Sequence, residues 1–137
     1  MKATELMIGD WVYNTCNRQP EQVCEIREHM VMLAYNDLYD YDEIEPIPLS
    51  AEILEQNGFV TKDKPDGWPG YRSYKYSEGS TGIIFHLYHD TGKYKWSGKC
   101  EISLNAPPYW IRFEYLHELQ HILKICGIDK EITIKED

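Results

Sequence analysis

The chain has 137 residues, of which 42% are hydrophobic and 13% aromatic, and it carries a net charge of −9. This excludes global disorder and allows one compact domain, or two very small subdomains, to bury a core without cross-links. No run approaches the roughly 18 apolar residues of a membrane span, and Met1 to Asp10 lacks the basic flank and apolar stretch of a signal peptide. A cytoplasmic protein with no membrane partner is therefore expected.

The charge is unevenly distributed. Met1 to Gly58 holds three basic residues against twelve acidic ones, while Phe59 to Asp137 holds eleven of each. An acidic surface repels phosphate backbones, so nucleic acid is disfavoured for the first part and a protein partner with a basic surface is favoured. Cys16, Cys24, Cys100 and Cys126 show no Cys-x-x-Cys spacing, which predicts free thiols in a reducing compartment.

In chain order, Gly9-Asp10 predicts a turn ahead of a strand at Trp11-Val12-Tyr13, whose aromatic and β-branched side chains suit a pleated surface. The polar stretch around Pro20 predicts a loop, followed by strands in "QVCEIRE" and "HMVMLAYND" and an extended piece in "YDEIEPIPL". Several short strands within about 48 residues predict a small, highly curved barrel of the SH3-like kind. The acidic cluster Asp37, Asp40, Asp42, Glu43 and Glu45 lacks the glycine of a calcium loop, so it reads as a solvated acidic edge that guards a strand.

Ser50 caps the helix predicted next. Leu49 and Leu54 are placed as a hydrophobic staple, Glu52 lies in the first turn, and Gly58 is the stop. "TKDKPDGWPGYRS" predicts a loop. After it "YRSYKY", "TGIIFHLYH", "KYKWSGKCEISLN" and "YWIRF", separated by Glu78-Gly79-Ser80, Asp90-Thr91-Gly92 and Pro107-Pro108, predict an antiparallel meander. A helix from about Glu114 to Cys126, ended by Gly127, is expected to cover that sheet, with a last strand in "EITIK".

The fold class expected is thus α+β: a small SH3-like β-barrel segment over 1–48, a linking helix over 49–58, and an antiparallel sheet with a C-terminal helix over 59–137, unless all three form one compact domain.

The last helix contains His117-Glu118-Leu119-Gln120-His121, a His-Glu-x-x-His pattern. With His117 at zero on a helical wheel, His121 falls at about 40°, Lys124 at about 340° and Gln120 at about 300°. Tyr115, Leu116, Leu119, Ile122, Leu123 and Cys126 form the opposite, core-facing stripe, which predicts that the histidines face solvent or a cleft. Two imidazoles four apart permit zinc, with Glu118 as base toward bound water. A catalytic zinc needs a third protein ligand, and no histidine follows His121; Asp129, Glu131, Glu136 and Asp137 are the only carboxylates downstream. A metal-free polar face therefore accounts for the pattern better than a hydrolase.

His86 and His89, three apart on a predicted strand, fall on opposite faces and do not chelate one ion together; His29 reads as a plain surface residue. Arg72, Lys75, Lys93, Lys95 and Lys99 interleave with Tyr71, Tyr74, Tyr76, Tyr94 and Trp96. A two-faced antiparallel sheet explains this alternation better than a nucleic-acid strip does.

Three segments, "ELMIGDWVY", "EPIPLSAEILEQNGF" and "FEYLHELQHILKICG", resemble a family of small uncharacterised proteins common in Bacteroides-type gut bacteria and their prophages or mobile elements. Pro46 to Phe59 is the most specific of these pieces. The resemblance implies no established activity. It implies that His117, Leu119 and Gln120 carry the helix motif, with the positions of Glu118 and His121 commonly glutamine and asparagine in relatives. His-Glu-x-x-His would then be a chance completion.

The function expected is non-enzymatic binding or regulation in a phage or mobile-element setting, without cofactor, through His117, Gln120, Asp40, Asp42 and Glu43. The alternatives are a small zinc-dependent hydrolase using His117, His121 and Glu118, and a nucleic-acid-binding module.

Overall fold

The computed structural model describes residues 1–34, 36–62, 71–78, 81–89, 96–102, 111–125 and 127–134. For residues 51, 61–62, 71–75, 77–78, 81–89, 96–102 and 111–112 it describes the backbone alone. By its contacts the chain divides into two units, Met1–Pro48 with Tyr115–Ile122, and Leu49–Glu114 with Leu123–Asp137. Among the described residues each contains a five-stranded antiparallel sheet, and with two α-helices the fold class is α+β.

In the first unit, β1 (Trp11–Asn14), β2 (Gln19–Ile26), β3 (Met30–Leu33), β4 (Leu38–Asp40) and β5 (Ile44–Pro46) pair in the order β4-β3-β2-β1-β5. The turn into β1 uses Gly9 at φ 95°, a conformation cheap only without a Cβ. β2 serves two neighbours: Gln19 to Gln22 pair with β1, a bulge falls between Val23 and Glu25, and the rest pairs with β3. A 3-10 turn, Tyr41–Glu43, then carries the chain to β5, which pairs with β1. Pro46, which has no N–H to donate, sits on that edge strand, where proline costs least.

Period-two patterning sorts the side chains. Val12, Val23, Val31, Leu33 and Ile44 are buried together with Leu6, and Met1, Ile26, Tyr39 and Tyr41 pack against them. Where a closed SH3-like barrel is expected, β4 and β5 are instead the two edges of an open sheet, with no pairing between them among the described residues. Asp37, Asp40, Asp42 and Glu45 are exposed in and beside these edge strands, where charge discourages pairing with another chain.

The second unit begins with α1 (Ala51–Gln56), whose N-cap Ser50 accepts from the Ile53 N–H at 3.2 Å. Leu49 and Leu54, the expected staple pair, are both buried. The helix ends in a Schellman motif around Gly58 at φ 83°, with Gly58 N–H to the Glu55 carbonyl at 3.2 Å and Phe59 N–H to the Leu54 carbonyl at 3.0 Å. α2 (Leu116–Ile125) ends the same way around Gly127 at φ 72°, with bonds of 3.1 Å to the Lys124 carbonyl and 2.9 Å from Ile128 N–H to the Leu123 carbonyl. Both glycines predicted as stops therefore act as such.

β6 (Val60–Lys62), β7 (Tyr71–Glu78), β8 (Thr81–His89), β9 (Trp96–Ile102) and β10 (Ile111–Phe113) form the second sheet in the order β10-β9-β8-β7-β6. This is the expected meander with one strand more, because β6 falls where "TK" predicts loop. The expected turns at Gly79-Ser80, Asp90-Thr91-Gly92 and Pro107-Pro108, most of the loop after Lys62, and Cys126 lie outside the described residues.

The strand expected in "EITIK" is a correction: Glu131 to Ile134 belong to no strand. A buried side chain satisfies the backbone there instead. Asn57 Oδ1 accepts from the Thr133 N–H at 2.8 Å, and its Nδ2 donates to the Thr133 carbonyl at 2.9 Å and to the Ile53 carbonyl at 2.7 Å.

Candidate binding site

The first turn of α2 is organised by its own sequence. Tyr115 is the N-cap position and Glu118 is the third helical residue; Glu118 Oε1 accepts from the Tyr115 N–H at 3.2 Å, one half of a capping box. The carboxylate that a zinc hydrolase would use as base is thus engaged at a helix end. The Tyr115 N–H is one of the orphan donors that every helix start must satisfy.

One turn on, the polar face meets the Gly9–Trp11 turn. Gln120 Oε1 accepts from the Trp11 N–H at 2.9 Å, and Gln120 Nε2 donates to the Gly9 carbonyl at 3.0 Å. The side-chain amide thereby pairs with the backbone as a strand neighbour would. Gln22 Nε2 also donates to the Gly9 carbonyl, at 3.1 Å. Next to it, His121 Nε2 lies 2.6 Å from Asp10 Oδ2, which also accepts from the Met7 N–H at 2.8 Å. Asp10 is fully buried, so these donors replace its water.

Of the two surroundings expected for His117 and His121, solvent or a cleft, the structure shows the cleft. His117 is only 5% exposed, and Gln120 and His121 are half-buried against the folded-back N-terminal turn. The helical wheel places the polar face correctly, but the chain brings its first residues over it. The apolar stripe is as expected, with Leu116, Leu119, Ile122 and Leu123 buried.

Tyr115 and His117 stack, with ring centroids 5.9 Å apart and planes at 14°, and His117 meets the edge of His121 at 5.6 Å. Burial pushes the His117 pKa below its ordinary value, against the opposing pull of Asp10, Glu118 and Glu5. His117 Nδ1 and Asp10 Oδ1 are both buried without a hydrogen-bond partner, a cost that the remaining contacts must offset. A cavity of about 570 Å³ opens here, lined by Glu5, Pro46, Tyr115, His117, Glu118 and His121 among others.

Among the described residues no group of three or more His, Cys, Asp or Glu is arranged to hold a metal ion. The helix pair His117 and His121 instead has Asp10 as its neighbour, through His121 Nε2. His86 and His89 lie three apart on β8 and hence on opposite faces; their side chains lie outside the described residues. His29 is exposed.

Asp40 and Asp42 are exposed, and half-buried Glu43 accepts from the Cys16 thiol at 2.8 Å. That bond pushes the thiol pKa up. Cys16 and Cys24 are free thiols. Asp10 and Asn57 are the residues missed by sequence reasoning. Asp10 reads there only as a turn residue, and a polar residue directly after a glycine and before a buried strand was the available signal.

No protein-family model, curated protein or solved structure matches this chain.

Proposed function

We propose that this is a non-enzymatic binding protein whose first unit receives a basic segment of a partner protein, built on an SH3-like frame and serving a regulatory role in a phage or mobile-element setting. The frame reading rests on the strand order β4-β3-β2-β1-β5, the bent β2 shared by two neighbours, and the 3-10 turn before β5. The setting rests on the resemblance of the three segments.

The observation that carries the binding reading is the chemistry of the cavity. Glu5 and Glu118 supply carboxylates, and His117 is held toward its neutral form by burial. Two carboxylates in the lining of one cavity call for a ligand rich in N–H donors. A lysine ammonium or an arginine guanidinium fits, and the exposed carboxylates Asp40, Asp42 and Glu45 of the same unit add to the negative field that favours a cationic partner.

Calorimetric titration with lysine- and arginine-bearing peptides, against acetyl-lysine and citrulline counterparts, tests this. Saturable binding is expected only for the cationic peptides. Glu5→Gln and Glu118→Gln keep their backbone-accepting oxygens and should each weaken binding about two- to fivefold. Equal binding of the neutral peptides would overturn the reading.

A further inference from the structure

A line of basic residues crosses the second sheet. The strand registers set Lys62 opposite Ser73, Ser73 opposite His86, His86 opposite Lys99, and Lys99 opposite Arg112. Directly opposed residues of antiparallel strands share a face, so Lys62, His86, Lys99 and Arg112 occupy one face from β6 to β10. At about 4.8 Å between strands, that line is about 19 Å long.

The flanking positions on the same face are informative. On one side Val60, Lys75, Ile84 and Glu101 stand in register; on the other Tyr71 is opposite Tyr88, with Ser97 beyond it. Across these lines there are four lysine and arginine residues against one glutamate. Phe59 to Asp137 as a whole balances its charges, so the register concentrates cations that the sequence spreads out. The other face carries Tyr74, Phe85, Cys100 and Ile111 in one line.

The edges show which face is covered. Phe59 and Phe113, adjacent in sequence to Val60 and Arg112 and so on the other face, are 3% and 2% exposed, whereas Val60 is 68% exposed. Half-buried Tyr76 also belongs to the covered face, with its ring 5.3 Å from that of Phe59. Of the strip read from sequence, Lys75 and Lys99 fall on the basic face and Arg72 on the other, while Lys93 and Lys95 lie outside the described residues.

We propose that this face binds single-stranded nucleic acid, with the basic line following the phosphates and Tyr71 and Tyr88 as stacking positions. Charge complementarity selects a polyanion, and the opposed tyrosines beside the line select one whose bases are unpaired, since a duplex keeps its π-faces inside. The proposal uses residues of the second unit alone, so it stands independently of the basic-partner reading.

Fluorescence anisotropy of a labelled single-stranded oligonucleotide and of the matching duplex, with the full chain over a range of salt, tests it. Three or four phosphate contacts predict a slope of log K against log salt of about −2 to −3, and Lys99→Gln and Arg112→Gln should each reduce its magnitude by about 0.7. Lys62→Gln on the edge strand repeats that test where the centre of the sheet is undisturbed, and Lys2→Gln in the first unit should leave the slope unchanged. Tyr71→Leu or Tyr88→Leu should weaken binding by at least about fivefold. Absence of binding at low salt, a slope indifferent to all three sheet variants, or a duplex bound as tightly as the single strand would overturn the proposal.

Discussion

His121 Nε2 and Asp10 Oδ2 lie 2.6 Å apart although 111 residues separate them in sequence. Asp10 has no access to water, and its Oδ2 also accepts from the Met7 N–H. Asp10→Ala should therefore lower stability by about 2–4 kcal/mol in urea unfolding, because it strands two donors. Asp10→Asn, which keeps an acceptor oxygen, should cost less. An unchanged midpoint for Asp10→Ala would show that the pair contributes nothing.

Gln120 needs one donor and one acceptor to pair with Gly9 and Trp11. Gln120→Glu keeps the shape but turns a carboxylate toward the Gly9 carbonyl, at an expected cost of about 1–3 kcal/mol near neutral pH. A protonated carboxyl can donate again, so the difference from the parent protein should shrink as pH falls toward 4. A pH-independent difference would argue against this geometry.

His117 has its folded-state pKa lowered by burial, so the unfolded chain takes the proton first as pH falls. Its contribution to stability is complete above about pH 6.5 and is lost progressively below it, through the lower folded value. Unfolding midpoints measured from pH 7.5 to 5 should therefore fall more steeply for the parent than for His117→Gln. Parallel curves would place the acid sensitivity elsewhere.

Asn57 holds Thr133 by two hydrogen bonds across 76 residues of sequence. Asn57→Ala should cost about 1–3 kcal/mol and sharply reduce the hydrogen-exchange protection of the Thr133 amide, with smaller effects on β1 to β3. Retained protection at Thr133 would mean that another group holds that segment.

Zinc checks the reading of His-Glu-x-x-His. For His121 to coordinate through Nε2 the Asp10 bond must break, and Glu118 is engaged at the helix cap. Untagged protein is therefore expected to retain no stoichiometric zinc by metal analysis. Zinc that is present and lost on His117→Ala or His121→Ala would restore the hydrolase reading.

What the sequence determined by itself is local. Ser50, Gly58 and Gly127 set helix ends because capping and positive φ depend on residues within a turn of each other. Residue type also predicted strands at Trp11-Val12-Tyr13 and in "HMVMLAYND", and the structure buries Val12, Val31 and Leu33 on them. The helical wheel likewise put His117, Gln120 and His121 on one face. Only the tertiary structure decided what that face meets, because hydrogen bonds between Gln120 and Trp11 or between His121 and Asp10 span more than a hundred residues and leave no periodic trace. The same holds for "EITIK", whose alternation reads as a strand until the Asn57 amide supplies its hydrogen bonds, and for the basic line from Lys62 to Arg112, which exists only through strand register.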